Sequence, residues 1–298
     1  MEKLKILRKS CNYTQKYLAD LLGVKSKDIS DWESNKSKPE LKTLRDLAVI
    51  FGTSVLDILS NDTVSTTHWQ PWQKEKIIDS FWGHIGILLC NSTNIKWYPI
   101  TSATAQRIQE SLCYDEDILD KLLSVDTLNN HFLIINTKSI KKISLLDDSS
   151  DAPENWEIPW DGYQGLGAEE YYNLIEEYFC DEEYFYENTS EKLQLVIKDL
   201  IEENNFTEEN VDEITHSINI YFSDNTSESI RIEYDSDFTE AITNIEMGIS
   251  KFISFEDSNY EIHFISTENI GLIDIPLNLY KKQLQLYEKQ LQQFFENE

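Results

Sequence analysis

Apolar residues recur at helical spacing through the first sixty positions of the chain. Leu4 and Leu7 share one face of a segment covering Met1–Ser10. Leu18, Leu21 and Leu22 line the next helix, for which Thr14 is the natural N-cap and Gly23 the natural stop. Ile29 and Trp32 point inward from a third helix, Ser26–Ser34, which Asn35 can close in the left-handed region. A fourth, Leu41–Phe51, buries Leu44, Leu47 and Ala48, and Val55, Leu56 and Leu59 seal the bottom. The pattern predicts an all-α bundle over residues 1–60.

After residue 76 the period changes. HIGILLC and IKWYPI flank Asn91-Ser92-Thr93-Asn94 as a hairpin, SATAQRIQESL and DEDILDKLLS read as helices, and NHFLIINT and SIKKISLLDD form a strand pair around Lys138 and Ser139. The order returns further on. EITHSINIYFSD and SESIRIEY flank Asn225, DFTEAITNIEM is helical, and ISKFISFEDS and YEIHFISTENIGLIDI are strands. Regions 80–148 and 213–276 thus share a strand–strand–helix–strand–strand order, a hint of duplication. The expected fold is multidomain: a helical bundle at 1–60, a linker at 61–76, α+β modules with small antiparallel sheets at 77–150 and 206–276, an acidic, aromatic and helical segment at 151–205 between them, and a C-terminal helix at 277–298.

That last helix opens on Pro276 and repeats Leu277, Tyr280, Leu284, Tyr287, Leu291 and Phe294 at heptad spacing. It reads either as a homodimer seam or as a helix packed on its own domain. Small curved sheets with this hairpin content resemble Sm-like barrels. The basic–aromatic interleaving that single-strand binders use is absent from them.

The segment YTQKYLADLLGVKSKDISDWESNKSKPELKTLRDLAVIFGTSVLDIL resembles the lambda-repressor/Cro-type (XRE) helix-turn-helix family over residues 3–60. Gln15, Leu18-Ala19, Gly23-Val24, Ile29-Ser30, Trp32-Glu33, Pro39, Thr43-Leu44 and Leu47-Ala48 carry the resemblance. Asn35 stands where the family usually has glycine. The resemblance implies a dimeric, double-stranded DNA reader that regulates transcription, expected here as a repressor. It places Gln15 at the start of the second helix, against a phosphate or base. It places Lys25, Ser26, Lys27 and Asp31 on the recognition helix facing the major groove, and Lys36 and Lys38 in the phosphate-contacting turn. Lysine can donate to guanine O6 or N7, and serine can pair with several bases. Asp28 and Asp31 repel phosphate.

Charge sharpens the division. Residues 1–60 hold 11 Lys/Arg against 8 Asp/Glu, whereas the remaining residues hold 15 against 46. From Ile143 to Tyr280 there are four basic residues and 34 acidic ones. The acidic body reads as a plain soluble surface, a dock for a basic protein partner, a mimic of DNA phosphates, or a carboxylate metal site. Cys11, Cys90, Cys113 and Cys180 are scattered without a CxxC and read as reduced, mostly buried thiols. No GxSxG, HExxH, Walker or dinucleotide fingerprint occurs, so no catalytic residue, metal or cofactor is expected. No apolar run is long enough to span a membrane, and a cytoplasmic protein is expected.

Overall fold

The computed structural model describes residues 1–59, 81–114, 122–151, 153, 156, 164–232, 238 and 251–285. The chain divides into two compact units, each assembled from two separated stretches. One combines Met1–Ser80 with Leu166–Glu208, the other Phe81–Gly165 with Glu209–Glu298. The boundaries therefore fall elsewhere than a linear reading puts them. The linker at 61–76 lies outside the described residues.

The first unit opens with five helices: α1 (Glu2–Ser10), α2 (Gln15–Leu22), α3 (Ser26–Glu33), α4 (Leu41–Ile50) and α5 (Val55–Leu59). Thr14 caps α2 by accepting from the Tyr17 N–H at 3.0 Å, and Gly23 ends it at φ 70. Asn35 takes φ 58 after α3, the left-handed conformation that asparagine tolerates better than most residues. Leu4, Leu7, Leu18, Ile29, Trp32, Leu47, Ile50 and Phe51 meet in one core. Ile58, not Leu59, closes its floor. Leu59 is exposed because the short α5 turns that position outward.

Three later helices complete this unit: α7 (Glu169–Cys180), α8 (Glu182–Asn188) and α9 (Glu191–Asn204). They join it through α4 and the start of α5. The Thr53 carbonyl accepts from the Glu170 N–H, Val55 N–H donates to Glu170 Oε2, and Ser190 Oγ donates to Asp46 Oδ1. The signal was present in α4 itself. Leu44, Leu47, Ala48, Val49 and Ile50 are all buried, too many apolar positions for a helix with a solvent face.

The second unit is antiparallel sheet. Its strands are β1 (Phe81–Leu89), β2 (Lys96–Thr101), β3 (Leu122–Asp126), β4 (His131–Asn136), β5 (Ile140–Asp147), β6 (Ser217–Phe222), β7 (Ser227–Arg231), β8 (Phe252–Glu256), β9 (Ile262–Ser266) and β10 (Ile270–Pro276). Helix α6 (Ser102–Tyr114) follows β2, and α10 (Glu208–His216) precedes β6. The sheets run β2-β1-β5, β3-β4-β10-β6-β7 and β8-β9. Leu122–Ser124 is strand rather than helix, because Leu123 and Val125 alternate into a core. Conversely, Glu213–His216 is helix, with Thr215 Oγ1 donating back to the Val211 carbonyl. β4 and β5 do not pair with each other. A 3-10 turn, Thr137–Ser139, sends β5 to β1 and leaves β4 between β3 and β10.

The two modules agree in register. Leu122 faces Asn136 across β3–β4, and Phe252 faces Ser266 across β8–β9, at one constant offset along the chain. At the same offset, Thr127 N–H donates to the His131 carbonyl and Asp257 N–H to that of Glu261, while Asn130 and Tyr260 both take positive φ. β5 pairs with β1 as β10 pairs with β6, each with a bulge near the start of the last strand. The two modules are nevertheless not separate domains, since β4 of the first and β10 of the second share a sheet.

The helix at 277–285 packs inward from its first residue. Leu277 and Leu279 join the core of the second repeat, and the Tyr280 ring stacks on Phe132 at 3.9 Å. Leu277 is buried in that core and Tyr280 packs half-buried against it, because the helix follows β10 directly and carries them onto its own sheet. Leu284 is half-buried, and Tyr287, Leu291 and Phe294 lie outside the described residues. Cys90, Cys113 and Cys180 are exposed rather than buried. Among the described residues, no helix is long and apolar enough to cross a membrane.

Candidate nucleic-acid interface

The candidate site is the outer face of α3 with the turns on either side. Ile29 and Trp32 anchor α3 in the core, which fixes the opposite face toward solvent. Lys25 is the N-cap, Ser26 and Lys27 form the first turn, and all three are exposed. Four backbone N–H groups at a helix start lack intrahelical partners, so this end also carries partial positive charge.

Asp28 has a structural task that explains its presence on a DNA-facing helix. Its Oδ2 accepts from the Lys25 N–H at 2.9 Å, closing the first turn. Asp31 is half-buried, and its Oδ1 lies 3.9 Å from Lys36 Nζ. Its carbonyl also accepts from the Lys36 N–H, which folds the post-helix turn back on α3. Lys36 and Lys38 are exposed in that turn. The structure thus brings the exposed side chains of Lys25, Ser26, Lys27, Lys36 and Lys38 onto the α3 segment, with Lys36 paired to Asp31.

Gln15 sits apart, at the start of α2, and is half-buried. Its Nε2 donates to Glu33 Oε2 at 2.8 Å. Glu33 also receives Arg8, whose Nε lies 2.5 Å from Oε1, and Arg8 donates in turn to the Tyr13 carbonyl. Burial raises the Glu33 pKa, but the Arg8 and Gln15 hydrogen bonds outweigh it and hold the carboxyl below its ordinary value. This network pins the start of α2 to the end of α3. Gln15 therefore sets the angle between the two helices as well as standing at the α2 N-terminus.

Lys16, Tyr17 and Lys42 are exposed on the same bundle and escaped the sequence reading. Lys16 and Tyr17 flank Gln15, so the helical period of α2, with Leu18 and Ala19 turned inward, was the signal that could have found them.

Elsewhere, Asp257, Glu261 and His263 bring one donor atom each within 4.8 Å of the others. Asp257 Oδ1 already accepts from the N–H groups of Asn259 and Glu261, which shapes the β8–β9 turn.

Residues 4–58 match the helix-turn-helix family model. Over 65 residues, 22% of this chain and 32% of the other, the chain is 37% identical to the HTH-type transcriptional activator BcrR of Enterococcus faecalis. It is 42% identical over 53 residues to the SPbeta prophage-derived uncharacterized HTH-type transcriptional regulator YonR of Bacillus subtilis, covering 18% of this chain and 49% of that protein. The chain thus spans from a third to half the length of these relatives. No solved structure matches the chain.

Proposed function

We propose that the chain is a DNA-binding transcriptional regulator whose N-terminal bundle reads double-stranded DNA through the first turn of α3. The observation that carries this reading is the exposure of Lys25, Ser26 and Lys27 on a helix whose opposite face is locked by Ile29 and Trp32. Such a turn matches the groove-facing end of a recognition helix, and the lysines of the next turn supply sequence-blind contacts to phosphate. The names of the two relatives support the same class. In its finer form, two copies bind two half-sites one helical turn apart and repress the adjacent gene.

Selection from random duplexes followed by mobility shift tests the reading. A palindromic consensus is expected, with its affinity reduced in Lys27→Ala and in Gln15→Ala. Failure of the full chain to enrich any sequence sinks the proposal. A reporter placed behind the selected site reads the direction of control.

A further inference from the structure

The two repeats of the sheet unit are equivalent in register but unequal in what covers them. In the first, β4 turns Phe132 and Ile134 toward the core of the second repeat, where they are 4% and 1% exposed. The β4–β10 pairing makes this possible, with Ile273 opposite Ile134 and Ile275 opposite Phe132. The equivalent residues on β9 are Ile262 and Phe264, and they are 55% and 70% exposed. Among the described residues β9 pairs with β8 alone, and β5, the equivalent of β10, is likewise an edge strand.

Among the described residues, each open edge therefore lacks the partner that its counterpart has. The β5 side also offers the matching seat. Ile143 and Leu145, equivalent to Ile273 and Ile275, are only partly buried. With Trp82, Ala105 and Leu112 they line an open groove beside α6. Charge agrees: β5 exposes Lys141 and Lys142, and the β8–β9 hairpin with its following turn carries Glu256, Asp257, Glu261 and Glu268. An edge strand with large exposed apolar residues is a template for strand addition.

We propose that β9 of one copy adds antiparallel to β5 of a second copy, repeating between chains the β4–β10 junction made within one. The register is set by equivalence: Phe264 opposite Ile143, His263 opposite Ser144, and Ile262 opposite Leu145. Ile262 and Phe264 then fill the groove of Trp82, Ala105 and Leu112. The contact is head-to-tail, so each chain keeps one donor and one acceptor edge until the assembly closes. The inference rests on the sheet unit alone and is independent of the DNA-reading proposal.

Light scattering on the full-length protein across a concentration series is expected to give a multiple of the 34.9 kDa chain mass. Phe264→Glu is expected to give the single-chain mass, with unchanged circular dichroism because that side chain is exposed in the lone chain. A second measurement fixes the edges. With Cys90, Cys113 and Cys180 replaced by serine, Ser144→Cys and His263→Cys chains are mixed and oxidised. A disulfide-linked pair is expected in the mixture, since residues facing across a ladder lie within disulfide reach. A wild-type protein at single-chain mass, an oligomer that survives Phe264→Glu, or a mixture with no cross-link overturns the proposal.

Discussion

Helices α3 and α4 belong to one bundle and have opposite surroundings. α3 buries only Ile29 and Trp32 and leaves a polar face open. α4 is covered by its own core on one side and by α7, α8 and α9 on the other. Arg45 sits at the centre of that second contact. Its Nη2 lies 2.6 Å from both carboxylate oxygens of Glu177, its Nη1 donates to Thr189 Oγ1, and Glu170 lies 3.7 Å from its Nε. Counting positive charges would place Arg45 beside Lys27 as a DNA contact. Burial separates them: one cation holds two parts of a unit together, and the other is free to meet a ligand.

The largest effect expected from this contrast is on stability. Arg45→Ala leaves Glu170 and Glu177 without their cation and should cost about 3–5 kcal/mol, read as an early denaturant transition of the helical unit. An effect below about 1 kcal/mol would show that α7–α9 do not depend on this pair.

Next comes a pH signature. Burial pushes the Glu170 carboxyl up to about 7, against the opposing pull of the Val55 N–H and the Arg45 charge. An unfolded glutamate ionises near 4.5. The folded protein therefore holds this proton more tightly. The stability it contributes is complete below 4.5 and is lost as pH rises through about 7. Glu170→Gln should abolish that loss, which is on the order of 3 kcal/mol. The difference in stability between wild type and variant, followed from pH 4.5 to 8 by denaturation, should slope; a flat difference would remove Glu170 from the account.

On the open side of the bundle, Lys27→Ala should weaken binding to the selected site by about 1–3 kcal/mol and leave stability unchanged. If Arg45→Ala and Lys27→Ala were to exchange their effects, the assignment of buried and free faces would be wrong. Thr14→Ala should cost about 1 kcal/mol of stability through the lost cap at Tyr17, measurable by thermal melting. The smallest effect is expected at Lys38. Lys38→Ala should lower the slope of log affinity against log salt by about 0.9 without changing the preferred sequence.

The bundle was legible in the sequence because its determinants are local. The Thr14 cap, the Gly23 stop, the left-handed Asn35 and the spacing of Leu18, Ile29 and Trp32 each act within a few residues. Most strands were legible from alternation for the same reason. Two kinds of site feature were not. Asp28 reads as a like charge facing phosphate until its hydrogen bond to the Lys25 N–H is seen. Gln15 reads as a pure contact residue until its amide is found on Glu33. The heptad spacing of Leu277 and Tyr280 fits a seam and a core face equally well, and the stacking of Tyr280 on Phe132 is not written in that spacing.

The sequence by itself determined the helix-turn-helix and most of the strands, since both follow from side-chain period, caps and turn residues. Only the tertiary structure decided that α7–α9 belong with α4 and that β4 crosses to β10. It also decided that Ile262 and Phe264 stay uncovered where Phe132 and Ile134 are buried. These are pairings between distant stretches. Equivalent apolar strands carry the same local pattern whether or not a partner edge is within reach, so alternation alone could not tell the paired edge from the open one.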